Sequence, residues 1–139
     1  MDGCAKQQVA ELLGRIAFFV DQKNTARLSS CFHKDARFVI NMPGDAEDAV
    51  FDGHAAIMAM MQKTVDGQTD QRRHFISNIW YESTGEKVAE VVSYMQLLST
   101  EHAETKIVAT GWYRDKVVRD SIDGGWSVRD RTLSLDRVL

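Results

Sequence analysis

Residues 72–83 read RRHFISNIWYES, and the fold turns on how that stretch is taken. Phe75, Ile76, Ile79, Trp80 and Tyr81 favour a pleated, largely buried environment. His74 stands where the stretch begins. The two-residue period of a strand puts it on one face with Ile76, Asn78 and Trp80. An imidazole at that point is either satisfied by a neighbour for packing reasons or a base at the mouth of a pocket.

Downstream of this stretch the chain continues in strand-like segments. TGEK (84–87) is a turn signal carrying Gly85. VAEVVSYMQLL (88–98) follows, then the polar STEHAE, then TKIVATGWYRDKVVRD from residue 105. SIDGG (121–125) reads as a hairpin loop, and WSVRDRTLSLDRV follows it. Strands are thus expected over residues 73–83, 87–99, 105–118 and 126–137. Upstream the period is helical: Val9, Leu12, Leu13, Ile16, Phe19 and Val20 share one side of a helix over about residues 5–20. DQKN breaks that pattern, and Asn24 is placed to cap a short second helix, TARLSSCF. ARFVINM (36–42) alternates like a strand and runs into a loop at Pro43, and HAAIMAMMQKTV after Gly53 reads as a third helix ending before Gly67. Helices first and long adjacent strands last is an α+β pattern, with helices on one face of an antiparallel sheet. Strands of that length twist and curl into a concave face, and helices closing it make a pocket suited to small molecules.

Composition narrows the function classes. The 139 residues are 44% hydrophobic and 27% charged, which fits one globular domain with a real core. A net charge of −3 argues against a sequence-independent nucleic-acid binder, which needs a basic face. No apolar run approaches the roughly 18 residues of a membrane span. The start, MDGCAKQQVAELL, has no basic segment followed by an apolar core, and Cys4 and Cys31 form neither a CxxC pair nor a disulfide framework. The expected location is therefore the cytoplasm. No His/Cys/Asp/Glu group has metal-ligand spacing, and neither GxGxxG nor GxxxxGK[ST] occurs, so no metal and no nucleotide cofactor is expected.

Five pieces taken in order carry a family resemblance: FFVDQKN (18–24), RLSSCFHKDARF (27–38), FDGHAAI (51–57), RRHFISN (72–78) and GGWSVRDRTL (124–133). Their order and spacing resemble the SnoaL-like branch of the nuclear transport factor two-like superfamily. The resemblance implies a single domain over residues 1–139, built as a cone-shaped α+β barrel with N-terminal helices packed in a strongly curved, mostly antiparallel sheet. Within that branch, Asp21 and His74 resemble the dyad of the scytalone dehydratase and hexachlorocyclohexane dehydrochlorinase group. Arg131, five residues after Trp126, matches an arginine lining the dehydrochlorinase pocket. Two features depart from the pattern: IAFFV (16–20) lacks tyrosines that some relatives place there, and residues 88–98 lack the second histidine of the scytalone type. The resemblance also implies pairing with another subunit through the sheet's outer face, as a homodimer or homotrimer.

The chemistry of the pair stands beside the resemblance. An imidazole titrates near neutral pH and can take a proton from carbon or oxygen. A carboxylate bonded to Nδ1–H fixes the tautomer and steadies the imidazolium. Against this, His74 can be a satisfied rim histidine and Asp21 a turn residue opening the second helix. Arg131 can be a surface ion pair with Asp115 or Asp130, or a guanidinium that stabilises a leaving anion. Arg129, Leu133 and Leu135 are expected on its face. His33, His54 and His102 are expected to face solvent. Met58, Met60 and Met61 suit a core or an adaptable pocket wall. Ala89, Val91, Ser93, Met95 and Leu97 make an apolar inner face, opposite Glu90, Tyr94 and Gln96. The expected function is a cofactor-independent lyase, a dehydratase or another β-eliminating enzyme, or an isomerase, acting on a small hydrophobic molecule. The rival is a non-catalytic ligand-binding or assembly module, such as a dioxygenase β-subunit-like protein.

Overall fold

The computed structural model describes residues 1–44 and 46–139. The first helix, α1 (Gly3–Asp21), begins at Asp2, whose carboxylate accepts the Ala5 N–H at 2.8 Å. That bond satisfies one of the amides a helix start leaves open. Val9, Leu12, Leu13, Ile16 and Phe19 form its buried side, and each such side chain contributes about 1.5–3 kcal/mol on leaving water. Asn24 caps α2 (Thr25–Ser29) by accepting the Arg27 N–H. This helix is shorter than TARLSSCF because Phe32 already belongs to a strand. That strand, β1 (Phe32–Asn41), is followed by β2 (Ala49–Asp52), α3 (His54–Asp66), β3 (Gln71–Thr84), β4 (Val88–Glu101), β5 (Glu104–Val118) and β6 (Ser127–Leu135).

The six strands form one sheet in the order β2-β1-β6-β5-β4-β3. All neighbours are antiparallel except β1 and β6, which run parallel. The sheet curves around α1 and α3 without closing, since β2 and β3 are its two edges. The helices lie on its inner side, α1 against β3 and α3 against β1. Ala89, Val91, Ser93, Met95 and Leu97 all turn inward and are buried, as their alternation requires. No helix among the described residues is long and apolar enough to cross a membrane.

The opening stretch does not keep one face inward throughout. Asn78 adopts a left-handed φ of 55°, and Asn78 with Ile79 oppose a single residue of β4, between the pairs Ser77–Tyr94 and Trp80–Val92. This is a β-bulge, and it exchanges the faces. His74 and Ile76 point inward before it. Tyr81 points inward after it and donates a hydrogen bond to the Lys6 carbonyl. Trp80 is therefore on the outer face and 63% exposed, contrary to the shared face expected for His74, Ile76, Asn78 and Trp80. A second bulge, between the Lys116–Asp130 and Val117–Val128 pairs, turns Arg129 outward and away from the face of Arg131, Leu133 and Leu135.

Candidate active site

Asp21 is the last residue of α1, and its carboxylate reaches across to His74, an inward residue near the start of β3. Oδ2 accepts the His74 backbone N–H at 2.8 Å, and Oδ1 lies 2.6 Å from His74 Nδ1. A carboxylate only accepts, so Nδ1 carries a proton, and in the neutral ring the lone pair is on Nε2. Two further bonds fasten the helix end to the strand: Gln71 Nε2 donates to the Asp21 carbonyl at 3.2 Å, and Arg73 Nη1 to Gln22 Oε1 at 3.1 Å. Both members of the pair are largely removed from solvent; Asp21 is 6% exposed. Among the described residues, no protein group within hydrogen-bonding distance engages His74 Nε2.

His74 forms part of the wall of a cavity of about 240 Å³ between the helices and the sheet. Leu13, Ile16, Ala17 and Val20 of α1 form one side, and Met60, Met61 and Thr64 of α3 another. The sheet contributes Phe38, Ile40, Ile76, Tyr113, Arg131 and Leu133, and Gln68 and Arg72 stand at the rim. Of the three methionines, Met60 and Met61 line the cavity, while Met58 packs against the core. The lining is predominantly apolar with a few convergent polar groups, the usual constitution of a small-molecule site.

Arg131 also reaches this cavity, and its pairing is not at the surface. It is 4% exposed, and Nε and Nη2 donate to the two carboxylate oxygens of Asp115 at 2.7 and 3.0 Å. Asp115 has no solvent exposure. Burial works most strongly against the Arg131 charge, but Asp115, by charge and hydrogen bond, together with Tyr113 and Cys31 holds the guanidinium above its ordinary pKa. The guanidinium carbon sits 4.0 Å from the centre of the Tyr113 ring, a stacked cation–π arrangement. Tyr113 and Asp115 both come from the inner face of β5, in the alternation Ala109, Gly111, Tyr113, Asp115, Val117, whereas Asp115 was expected only as a surface partner of Arg131. The place of Tyr113 in the site was not read from the sequence, since a tyrosine among inward residues reads as core.

The other histidines stand apart. His102 is exposed, whereas His54 is half-buried with Nε2 2.8 Å from the Ser29 carbonyl, and His33 packs beside Asp35. The expected solvent-facing placement therefore holds for His102 alone. No cluster of three or more His, Cys, Asp or Glu able to hold a metal occurs among the described residues. A more open groove of about 520 Å³ lies on the outer face between Tyr94 and Trp112, remote from the Asp21–His74 pair.

A helix-backed, curved and unclosed sheet with a buried carboxylate–imidazole pair beside an apolar cavity defines the class by its architecture: an α+β fold with N-terminal helices in the hollow of a six-stranded sheet. The chain matches the model of the SnoaL-like domain across residues 4–132 and belongs to that family. Among solved structures, a protein of unknown function from Mycobacterium tuberculosis is 22% identical with a TM-score of 0.80, over 100% of this chain and 79% of that one. A Nostoc punctiforme protein of unknown function with a cystatin-like fold is 17% identical with a TM-score of 0.81, over 100% of this chain and 96% of that one. A Novosphingobium aromaticivorans protein assigned as the β subunit of an aromatic-ring-hydroxylating dioxygenase is 15% identical with a TM-score of 0.82, over 98% and 92% of the two chains. At these identities the likeness is one of fold. A search of curated proteins finds no match.

Proposed function

We propose that the protein is a cofactor-independent lyase or isomerase acting on a small, mostly apolar molecule held in the cavity. His74 Nε2 takes the proton, and Asp21 fixes the tautomer and stabilises the imidazolium that forms. Dehydration or another β-elimination is the reaction we favour. The observation that carries this reading is the 2.6 Å contact between Asp21 Oδ1 and His74 Nδ1 at the wall of an apolar cavity. Arg131 has Nη1 left over from its bidentate bond to Asp115, and that donor is assigned to the departing group or to a developing oxyanion.

The test is a panel of small cyclic β-hydroxy ketones and halides, assayed for elimination. His74→Gln should abolish turnover with the melting temperature nearly unchanged. Asp21→Asn should keep the fold and lower the rate on the order of 10²-fold or more, because an amide does not stabilise the cation. Loss of stability in both variants without selective loss of turnover would instead assign the pair a structural role. That outcome favours the second reading, a binding or assembly module, which the likeness to the dioxygenase β subunit supports. In either reading we propose a homodimer or homotrimer formed through the outer face of β3, β4 and β5.

A further inference from the structure

The strand that carries His74 is the least secured of the long strands. None of the 14 residues of β3 is fully buried, whereas β4 and β5 bury every second residue over much of their length. β3 is also an edge of the sheet, paired with β4 alone. On its open side the bonds among the described residues come from side chains. Asp21 takes the His74 N–H, Gln71 and Arg73 reach the end of α1, and Tyr81 reaches the Lys6 carbonyl. The bulge at Asn78 interrupts the ladder between Ser77 and Trp80. Few buried contacts and a broken ladder mark a segment that opens locally at small cost.

The reverse of that strand is bare and apolar. Phe75, Ile79 and Trp80 of β3 are exposed, and the patch continues through Tyr94 of β4 to Ile107 of β5. Covering side chains exposed to that degree, with the polar residues between them, removes roughly 800 Å² from each partner, the size of a standard interface. The patch also suits a copy of itself. Its charged pair, Arg114 and Glu82, is already joined, so like can face like without a stranded charge. At one end a row of alternating sign crosses five strands in register: Asp52, Arg37, Asp130, Lys116 and Glu90. Opposite charges side by side offset one another, and interface cores exclude charge. The row therefore bounds the patch.

We infer that the occupant of this face is a second copy of the chain, and that pairing holds β3, and with it the Asp21–His74 contact, closed. Phe75 stands between His74 and Ile76 on the opposite face, and Ile79 and Trp80 sit at the bulge. A partner packed on these three bears directly on the segment that sets the imidazole. A partner that binds the closed strand and not the opened one shifts the local equilibrium toward closed. Assembly then regulates the site, because the pair opens more often in the isolated chain. The consequence for turnover rests on the proposed function of the dyad; the clasp itself does not.

Backbone amide exchange reads the clasp without a substrate. The His74 N–H exchanges when its bond to Asp21 opens. In 15N-labelled wild-type protein that amide should exchange on the order of tenfold more slowly, or slower still, where light scattering gives two chains than after dilution to one. The slowing should exceed that at Phe38, which lies on β1 away from the face. Tyr94→Lys with Ile107→Lys leaves every β3 side chain in place. It should give a single chain with a fast-exchanging His74 amide at any concentration, and dilution of the wild type reads the same effect should the variant fold poorly. Equal exchange at His74 in the paired and single-chain forms would overturn the coupling and leave the dyad as proposed. A wild-type mass of one chain at every concentration, or of three, would overturn the partner and leave the face to a different protein. Turnover absent from every form strikes the proposed chemistry alone, and the exchange result still decides the clasp.

Discussion

Arg131 and Asp115 illustrate how much one pair can commit. Two charges with almost no solvent exposure hold each other through two parallel hydrogen bonds, so removing one strands the other in a medium of low dielectric. Arg131→Met should destabilise the protein by about 3–5 kcal/mol in urea unfolding. Replacing both, as Arg131→Met with Asp115→Leu, should recover most of that loss. Ser93 behaves in the opposite sense. Its hydroxyl is sealed without a partner, so Ser93→Ala relieves a desolvation cost and should leave stability unchanged or raise it.

At the scale of elements, the junction leading into β3 depends on Asp70. Ser99 donates to its carboxylate, and Arg72 Nε does so at 3.2 Å. The Ser99 bond is the chief reason its pKa lies below the ordinary value; slight burial opposes it and Arg72 adds to it. A carboxylate whose pKa falls on folding stabilises fully above its unfolded value, about 3.9. That contribution is lost as the pH drops through the lower folded value. Ser99→Ala should therefore lower the melting temperature at pH 7, and the difference from wild type should shrink as the pH falls below the ordinary carboxylate range. On β5, a Cβ at Gly111 would collide with the Ser134 carbonyl, and Gly111→Ala should cost about 1–3 kcal/mol as an overpacking change. The long elements were legible because their apolar periods are long: α1, α3, β4 and β5 follow their alternation almost residue for residue. The four-residue β2 is too short to show a period, and the register shift between Phe32 and Arg37 hides the first half of β1. The bulge at Asn78 is invisible to a strict two-residue count, which is why Trp80 was assigned to the wrong face. Asp21 and His74 were legible as residue types and through family likeness. Their pairing was expected from that likeness and requires α1 to end over the start of β3, which is where the structure ends it.

The molecule as a whole leaves apolar surface on its outer side. Phe75, Trp80, Tyr94 and Ile107 are each more than half exposed there, in a patch of the kind that marks an interface. Light scattering should give a mass of two or three chains at micromolar concentration, and Trp80→Lys together with Tyr94→Lys should shift it to one. The strand order has a different consequence, one of timing. β6 comes last in sequence but sits in the interior of the sheet, between β1 and β5. Until it docks, the β1–β2 hairpin has no route into the sheet, Asp115 has no cation, and one wall of the cavity is missing. Pairing β1 with β6 closes a very long loop, and contacts of that separation form late and slowly. A chain halted after Val118 should hold the β3–β4–β5 meander yet expose its unfinished edge, leaving a template for aggregation.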